Sequence, residues 1–435
     1  MGDLANVTSP PYDVIGPGTL ERLLAASPYN IVRLILPAPV PGATGPGSAD
    51  LASPAPAAAR AACRQAAGET AAVRLRDWLA SGALTVDDTS AFYVYEQRSD
   101  GWVQRGIVGL VAVGTGAVLP HEGVMPGPVA GRRELMKATR SNLEPILLVY
   151  SGVAGAGGRG GPAGIEPLER PATASQLADH TADAREPLAC VVTSDGITHR
   201  LWAVTDPASQ AAIAADLARR TALIADGHHR YAAYRQLRDE MRSSGAGTGP
   251  WDYGLAFLVD ANAYPLRLGA IHRILPRLAP AEAARLAARA FRVTALPGDS
   301  AMERLAAAGE SGTAFLLAGE GRRWLLTDPD QRQLAAAMPP GASPRWRDLD
   351  ASVMQELLLA RLWSIRDNER DVLISHDADE ALQMAADSAG TAVICNPMSL
   401  AAVMDIAAHG EKVPRKSTSF GPKPRTGLVL RTFES

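Results

Sequence analysis

Helical-period stretches and continuous or alternating apolar stretches follow one another along most of the chain. Leu20, Leu23 and Leu24 mark a short helix, and the run Tyr29-Asn30-Ile31-Val32-Arg33-Leu34-Ile35-Leu36 predicts a strand. Residues 37–56, rich in Pro, Gly and Ala, predict a loop, and 60–80 an amphipathic helix closed by Ser81-Gly82. Strands over 91–97 and 106–113 flank Asp100-Gly101, a pair suited to a hairpin turn. Helices are expected at 132–140, 208–219 and 231–242, with strands at 146–150, 188–193, 199–204 and 223–225. Residues 151–164 read as a Gly-rich insertion. The last part predicts strands at 251–259 and 270–275 and a helix–strand–strand stretch over 280–327. A helix at 354–363, a strand at 391–395 and a helix at 400–409 follow.

This alternation predicts an α/β fold, with α+β as the other mixed class it allows. Three parts are expected: an N-terminal α/β segment (1–117), a central unit (118–245) and a C-terminal α/β segment with a Lys/Ser/Thr tail (246–435). A chain of 435 residues exceeds one ordinary domain, and a hydrophobic content of 47% supplies a sizeable core.

Charge narrows the partners. The net charge of −3 gives no electrostatic case for wrapping a nucleic-acid backbone, so a nucleic-acid partner is not expected. No signal-peptide pattern or apolar run long enough to span a membrane is visible, and Cys63, Cys190 and Cys395 lack paired spacing. A cytoplasmic protein with reduced thiols is expected, its oligomeric state open. The 43 basic residues comprise 39 Arg and only four Lys: Lys137, Lys412, Lys416 and Lys423. GC-rich coding explains most of that bias, yet three of the four lie near the C-terminus. A slim ammonium directed at phosphate would not be interchangeable there with a planar guanidinium.

Two apparent motifs fail on context. Gly155-Ala156-Gly157-Gly158-Arg159-Gly160 matches a dinucleotide fingerprint in letters, but Gly161-Pro162 follows where a helix is required. Lys416-Ser417-Thr418 lacks the glycine that a P-loop needs ahead of it. A more coherent pattern is Asp226-Gly227-His228-His229-Arg230. A short apolar strand delivers it, a glycine permits close backbone approach, and a helix pattern begins at once. Free N–H groups and the dipole at such an entrance favour an anion. Arg230 can grip phosphate oxygens, and the histidines can donate hydrogen bonds or a proton.

Together with Pro10-Pro11-Tyr12-Asp13-Val14-Ile15 and Pro414-Arg415-Lys416-Ser417-Thr418, this motif resembles the family of domain of unknown function 1015. Members of that family continue the tail as Lys-Ser-Thr-Tyr-Phe-Tyr-Pro-Lys. Here it reads Lys416-Ser417-Thr418-Ser419-Phe420-Gly421-Pro422-Lys423, so two aromatics are missing. Over about 118–242 the order of parts is also similar to ParB-like proteins, sulfiredoxin and ParB-like free serine kinases. The shared order is Leu119-Pro120-His121-Glu122, a helix, Glu144-Pro145 before a strand, and the strand–Asp226-Gly227 turn into a helix.

The resemblance implies a ParB/sulfiredoxin-like core and a small-molecule kinase. Such an enzyme moves a phosphoryl group from ATP or ADP to the hydroxyl of a free amino acid such as serine, with Mg²⁺. Glu122, Asp226 and His229 then carry catalysis, and Glu122 and Asp226 help hold the metal. Gly227, His228, Arg230, Lys416, Ser417 and Thr418 face the nucleotide phosphates. His121, His272 and Arg273 are additional candidates. Two other readings use the same residues. One is a ParB-like nucleotide-binding switch without kinase activity; the other is a metal-dependent hydrolase with His121, Glu122, His228 and His229 as ligands. Ile374-Ser375-His376-Asp377 needs no site: Asp377 is placed to cap the following helix.

Overall fold

The computed structural model describes residues 3–37, 57–151, 173–297, 300–368 and 370–434. The expected loop over 37–56 and the Gly-rich insertion over 151–164 fall almost wholly outside these residues. The chain forms two compact units. The first comprises Met1–Pro120, Val124–Leu266 and Pro422–Ser435, the second His121–Gly123 and Arg267–Gly421.

Among the described residues, eight strands of the first unit form one sheet. They are β1 (Phe92–Ser99), β2 (Trp102–Ala112), β3 (Val118–Leu119), β5 (Ile146–Tyr150), β6 (Ala189–Val192), β7 (Thr198–Val204), β8 (Ala222–Asp226) and β9 (Tyr253–Asp260), ordered β3-β8-β5-β9-β2-β1-β7-β6. A separate small ladder pairs β4 (Ser141–Asn142) with residues 431–432. Strands on both sides of residues 117 and 245 therefore share one sheet. β3 runs parallel to β8 and β5 parallel to β9; the other pairs are antiparallel. The hairpin expected around Asp100-Gly101 is present, with Ser99 opposite Trp102 and Gly101 at φ +80°. The helices Pro126–Thr139 and His228–Ser243 pack Val129, Met136, Tyr231, Tyr234 and Leu237 against Ile146, Leu148, Ile224 and Ala256. A second core joins Ala174, Ala178 and Ile213 to Val94, Ile107, Trp202 and Val204.

The strand expected at 29–36 is instead a short helix, Val32–Ile35. Ile31, Val32, Leu34 and Ile35 are all buried, and a short apolar run buried on every side has no period to separate strand from helix. The choice falls to Asn30, itself buried. Its Oδ1 accepts from the Val32 N–H at 3.0 Å, while its Nδ2 donates to the carbonyls of Asn6 and Thr8 at 2.8 and 3.1 Å.

The second unit holds a wholly antiparallel sheet. Its strands are β11 (His272–Leu275), β12 (Arg292–Leu296), β13 (Phe315–Gly319), β14 (Arg322–Thr327), β15 (Leu373–Ser375) and β16 (Thr391–Cys395), in the order β12-β14-β13-β16-β11-β15. β10 (Arg267–Gly269) pairs separately with β17 (Ser419–Gly421). The 280–327 stretch contains one helix and one strand more than expected: Ala301–Gly309 and β12. The helix expected at 354–363 is a π-helix, Val353–Leu362, with the Trp363 N–H donating to Leu358 at 3.0 Å. All three cysteines are free thiols. Among the described residues no helix is long and apolar enough to cross a membrane.

Leu148 is fully buried where β5 meets the His228–Ser243 helix. Leu148→Ala should cost about 2–5 kcal/mol. Urea unfolding would read this as a lower midpoint at unchanged slope.

Candidate functional site

β8 is apolar and buried up to Ala225, and Asp226 ends it at 7% exposure. Gly227 then takes φ +97°, ψ 28°, which turns the chain directly into the His228–Ser243 helix. A side chain there would be strained twice. The left-handed backbone disfavours it, and a Cβ would lie 2.8 Å from Ile146 Cγ2 and 3.1 Å from Arg230 Nε. The junction thus delivers a carboxylate and two imidazoles to the first turn of a helix.

Asp226 sits between two cations. Arg230, one helical turn on, pairs with its Oδ2, and the Lys423 ammonium lies 2.6 Å from its Oδ1. The same ammonium donates to Asp13 Oδ2 at 2.7 Å. Asp13 belongs to the 3₁₀ turn Tyr12–Val14, whose Tyr12 N–H donates to Glu144 Oε1 at 3.1 Å. Arg132 completes the group, 3.5 Å from Glu144 Oε2 and stacked 4.2 Å from the centre of the Tyr12 ring. Three acids therefore face three cations; Asp226, Glu144 and Arg230 are buried, whereas the Asp13 and Lys423 side chains stay 37% and 26% exposed.

The titration behaviour follows from that packing. Burial pushes the Glu144 carboxyl above its usual range, more than Arg230 and Arg132 pull it down. Burial would also raise Asp13, but the Lys423 ammonium, helped by Arg230, outweighs it and holds this carboxyl low. Burial works against the Lys423 charge; Asp226 and Asp13 outweigh it, and the ammonium is held above its usual range.

Arg230 was expected to offer its fork to phosphate. Only 1% of it is exposed, its Nη1 donates to the Pro145 carbonyl at 2.6 Å, and its Nη2 faces Asp226. A guanidinium committed to those two acceptors holds the Asp226 junction in place. His228 is buried, and His229 Nε2 accepts from the Met125 N–H at 3.0 Å. That bond leaves the His229 proton on Nδ1 when the ring is neutral.

The other candidates lie in the second unit. Thr418 Oγ1 is 2.9 Å from His121 Nε2 and donates to Glu122 Oε1 at 2.8 Å. Because the single Thr418 proton goes to Glu122, His121 supplies its own from Nε2. Phe420 packs edge-on against His121 at 5.6 Å. Lys416 stands at φ +53°, and Ser417 Oγ donates to the Pro414 carbonyl at 2.6 Å. His272 Nδ1 accepts from the Cys395 N–H at 3.2 Å, and burial lowers its pKa. Arg273, 1% exposed, donates to the carbonyls of Ile271 and Arg415. Its contacts are those of a scaffold residue. Asp377 caps its helix through the Glu380 N–H, as expected. Among the described residues no group of three or more His, Cys, Asp or Glu side chains could hold a metal ion.

A family model described as "Protein of unknown function (DUF1015)" matches residues 1–157 and 167–352. The chain belongs to that family. The match takes in Asp13, Glu144 and the Asp226–Arg230 motif of this DUF1015 protein, while Lys423 lies beyond the matched residues. No curated protein matches the chain in sequence. Among solved structures it is similar to a free serine kinase mutant in complex with ADP, at 14% identity and TM-score 0.35, over 77% of this chain and 95% of that one. It is also similar to a conserved hypothetical protein from Pyrococcus furiosus (13%, TM-score 0.32, 75% and 96%). A third is SbnI with C-terminal truncation from Staphylococcus aureus (11%, TM-score 0.36, 75% and 88%).

Asp13, Tyr12, Glu144 and Lys423 were not among the residues singled out for the site. Lys423 carried one signal: it is a lysine in a chain that otherwise uses arginine almost throughout.

Two outcomes test this geometry. Asp13 contributes stability that is present above the usual aspartate range and is lost as pH falls through its depressed folded value. In Lys423→Met the largest lowering influence is gone while Arg230 remains, so Asp13 should titrate higher than in the wild type and that acid-side contribution should shrink. Carboxyl ¹³C NMR titration of both proteins reads this, and unchanged titration would refute the pairing. Gly227→Ala should lower stability by about 1–3 kcal/mol through its left-handed backbone alone, measured by thermal and urea unfolding.

Proposed function

We propose that this protein is a small-molecule kinase, transferring a phosphoryl group from ATP or ADP to the hydroxyl of a free amino acid such as serine. The observation that carries the reading is the Asp226–Gly227 junction. A buried carboxylate, held between Arg230 and Lys423, stands at the entrance of a helix whose first residues are His228 and His229. Helix-entrance N–H groups with adjacent imidazoles and an ammonium suit the equatorial oxygens of a transferred phosphoryl group.

In the proposed step the acceptor oxygen forms a bond to the terminal phosphorus. The bond from that phosphorus to the bridging oxygen breaks, leaving ADP from ATP or AMP from ADP. The hydroxyl proton passes to a carboxylate. Glu122 is assigned that role, and its Oε1 already accepts a hydroxyl hydrogen bond, from Thr418. Asp226 orients the phosphate side with Gly227 and His228, and His229 is a proton donor. Lys416 offers the cation of its segment, while the Ser417 and Thr418 hydroxyls donate to Pro414 and Glu122 and would have to exchange those acceptors to meet phosphate oxygens.

Mg²⁺ would be carried mainly on the nucleotide phosphates, with Asp226 the carboxylate that the helix entrance offers it, rather than caged by protein alone. When bound it would neutralise charge on the phosphate oxygens.

Purified protein incubated with Mg²⁺, ATP or ADP and a panel of hydroxyl amino acids should give a phosphorylated product by mass spectrometry. Glu122→Gln and Asp226→Asn should each lower kcat by about 10²–10⁴-fold, with folding checked by circular dichroism. Tight nucleotide binding with no phosphorylated product from any acceptor would defeat the kinase reading.

A further inference from the structure

Lys423 is one of four lysines in a chain with 39 arginines, and its ammonium is a junction. It lies 2.7 Å from Asp13 Oδ2 and 2.6 Å from Asp226 Oδ1, and its side chain keeps 26% of its surface exposed. An ammonium carries three donors on one point, whereas a guanidinium spreads five over a plane. Two carboxylates on separate chain segments account for two of the three. The side chain as a whole is partly open to solvent, as a ligand-binding lysine must be.

Both carboxylates are themselves anchored. Asp226 is fixed from its other oxygen by Arg230, and Asp13 sits in a 3₁₀ turn tied to Glu144 through the Tyr12 N–H. The ammonium therefore has a defined position, one residue removed from the start of the His228–Ser243 helix through Asp226 and Gly227. A free lysine tail would lose side-chain entropy on gripping a ligand; this one is already ordered.

We propose that Lys423 binds a phosphate oxygen of the nucleotide with its third N–H, while Asp13 and Asp226 hold the ammonium in place. Lys423 is then a binding residue of the phosphotransfer site, and Asp13 a positioning residue that acts through it. This rests on the nucleotide use proposed above. It also gives the Pro-Pro-Tyr-Asp motif and the end of the tail a shared purpose, that of aiming one cation.

The small number of lysines supplies the test. Protein labelled with ¹⁵N at lysine has four side-chain ammonium groups, and the Lys423 signal is identified by its loss in Lys423→Arg. Addition of ADP or ATP with Mg²⁺ should shift that signal. Lys423→Met should weaken nucleotide affinity at least tenfold by calorimetry, and Asp13→Asn should weaken it less while broadening or moving the Lys423 signal. The wild-type titration keeps the test decisive even where Lys423→Met fails to fold. Nucleotide binding that leaves the Lys423 signal unmoved would overturn this proposal and spare the kinase reading. No nucleotide binding by calorimetry would overturn both.

Discussion

The first unit depends on a charge balance built around a buried centre. Asp13, Glu144 and Asp226 face Arg132, Arg230 and Lys423, and Arg230 and Glu144 are almost wholly removed from water. Withdrawing an ion from water costs several kcal/mol unless a partner compensates. Deleting one member therefore leaves another uncompensated, which makes the set act as a unit. It also ties together the start of the chain, the loop before β5, the His228–Ser243 helix and the C-terminal segment.

That constraint explains the division of labour within the Asp226–Arg230 motif. Arg230 faces inward because Asp226, Pro145 and the nearby Glu144 need a cation in the interior. Gly227 makes the turn sharp enough to bring Asp226 and Arg230 together. The two histidines follow in the first turn, and one of them, His229, is oriented by a backbone N–H of residue 125. The helix entrance is thus held by Asp226, Gly227 and Arg230 of the motif together with Lys423 and the Pro145 carbonyl.

The second unit arranges its polar residues differently. His121, Thr418 and Glu122 form a directed chain in which imidazole donates to hydroxyl and hydroxyl to carboxylate. The carboxylate is thus engaged by a hydroxyl of the same unit. The lysine-serine-threonine segment supplies that hydroxyl, while its neighbour Lys416 sits in a left-handed turn.

The sequence by itself determined the mixed class of fold, most helices and strands with clear period, the hairpin at Asp100-Gly101 and the cap at Asp377. It also marked the strand-to-helix junction at Asp226-Gly227. Each of these rests on interactions within a few residues, where period and turn chemistry act directly. Only the tertiary structure decided that 29–36 contains a helix, because a run buried all round carries no period and the outcome hangs on Asn30 reaching Asn6 and Thr8. It alone turned Arg230 inward and brought Lys423 to Asp13 across 410 positions. A charge chooses its partner by distance and desolvation in the folded chain, and neither is written in local spacing.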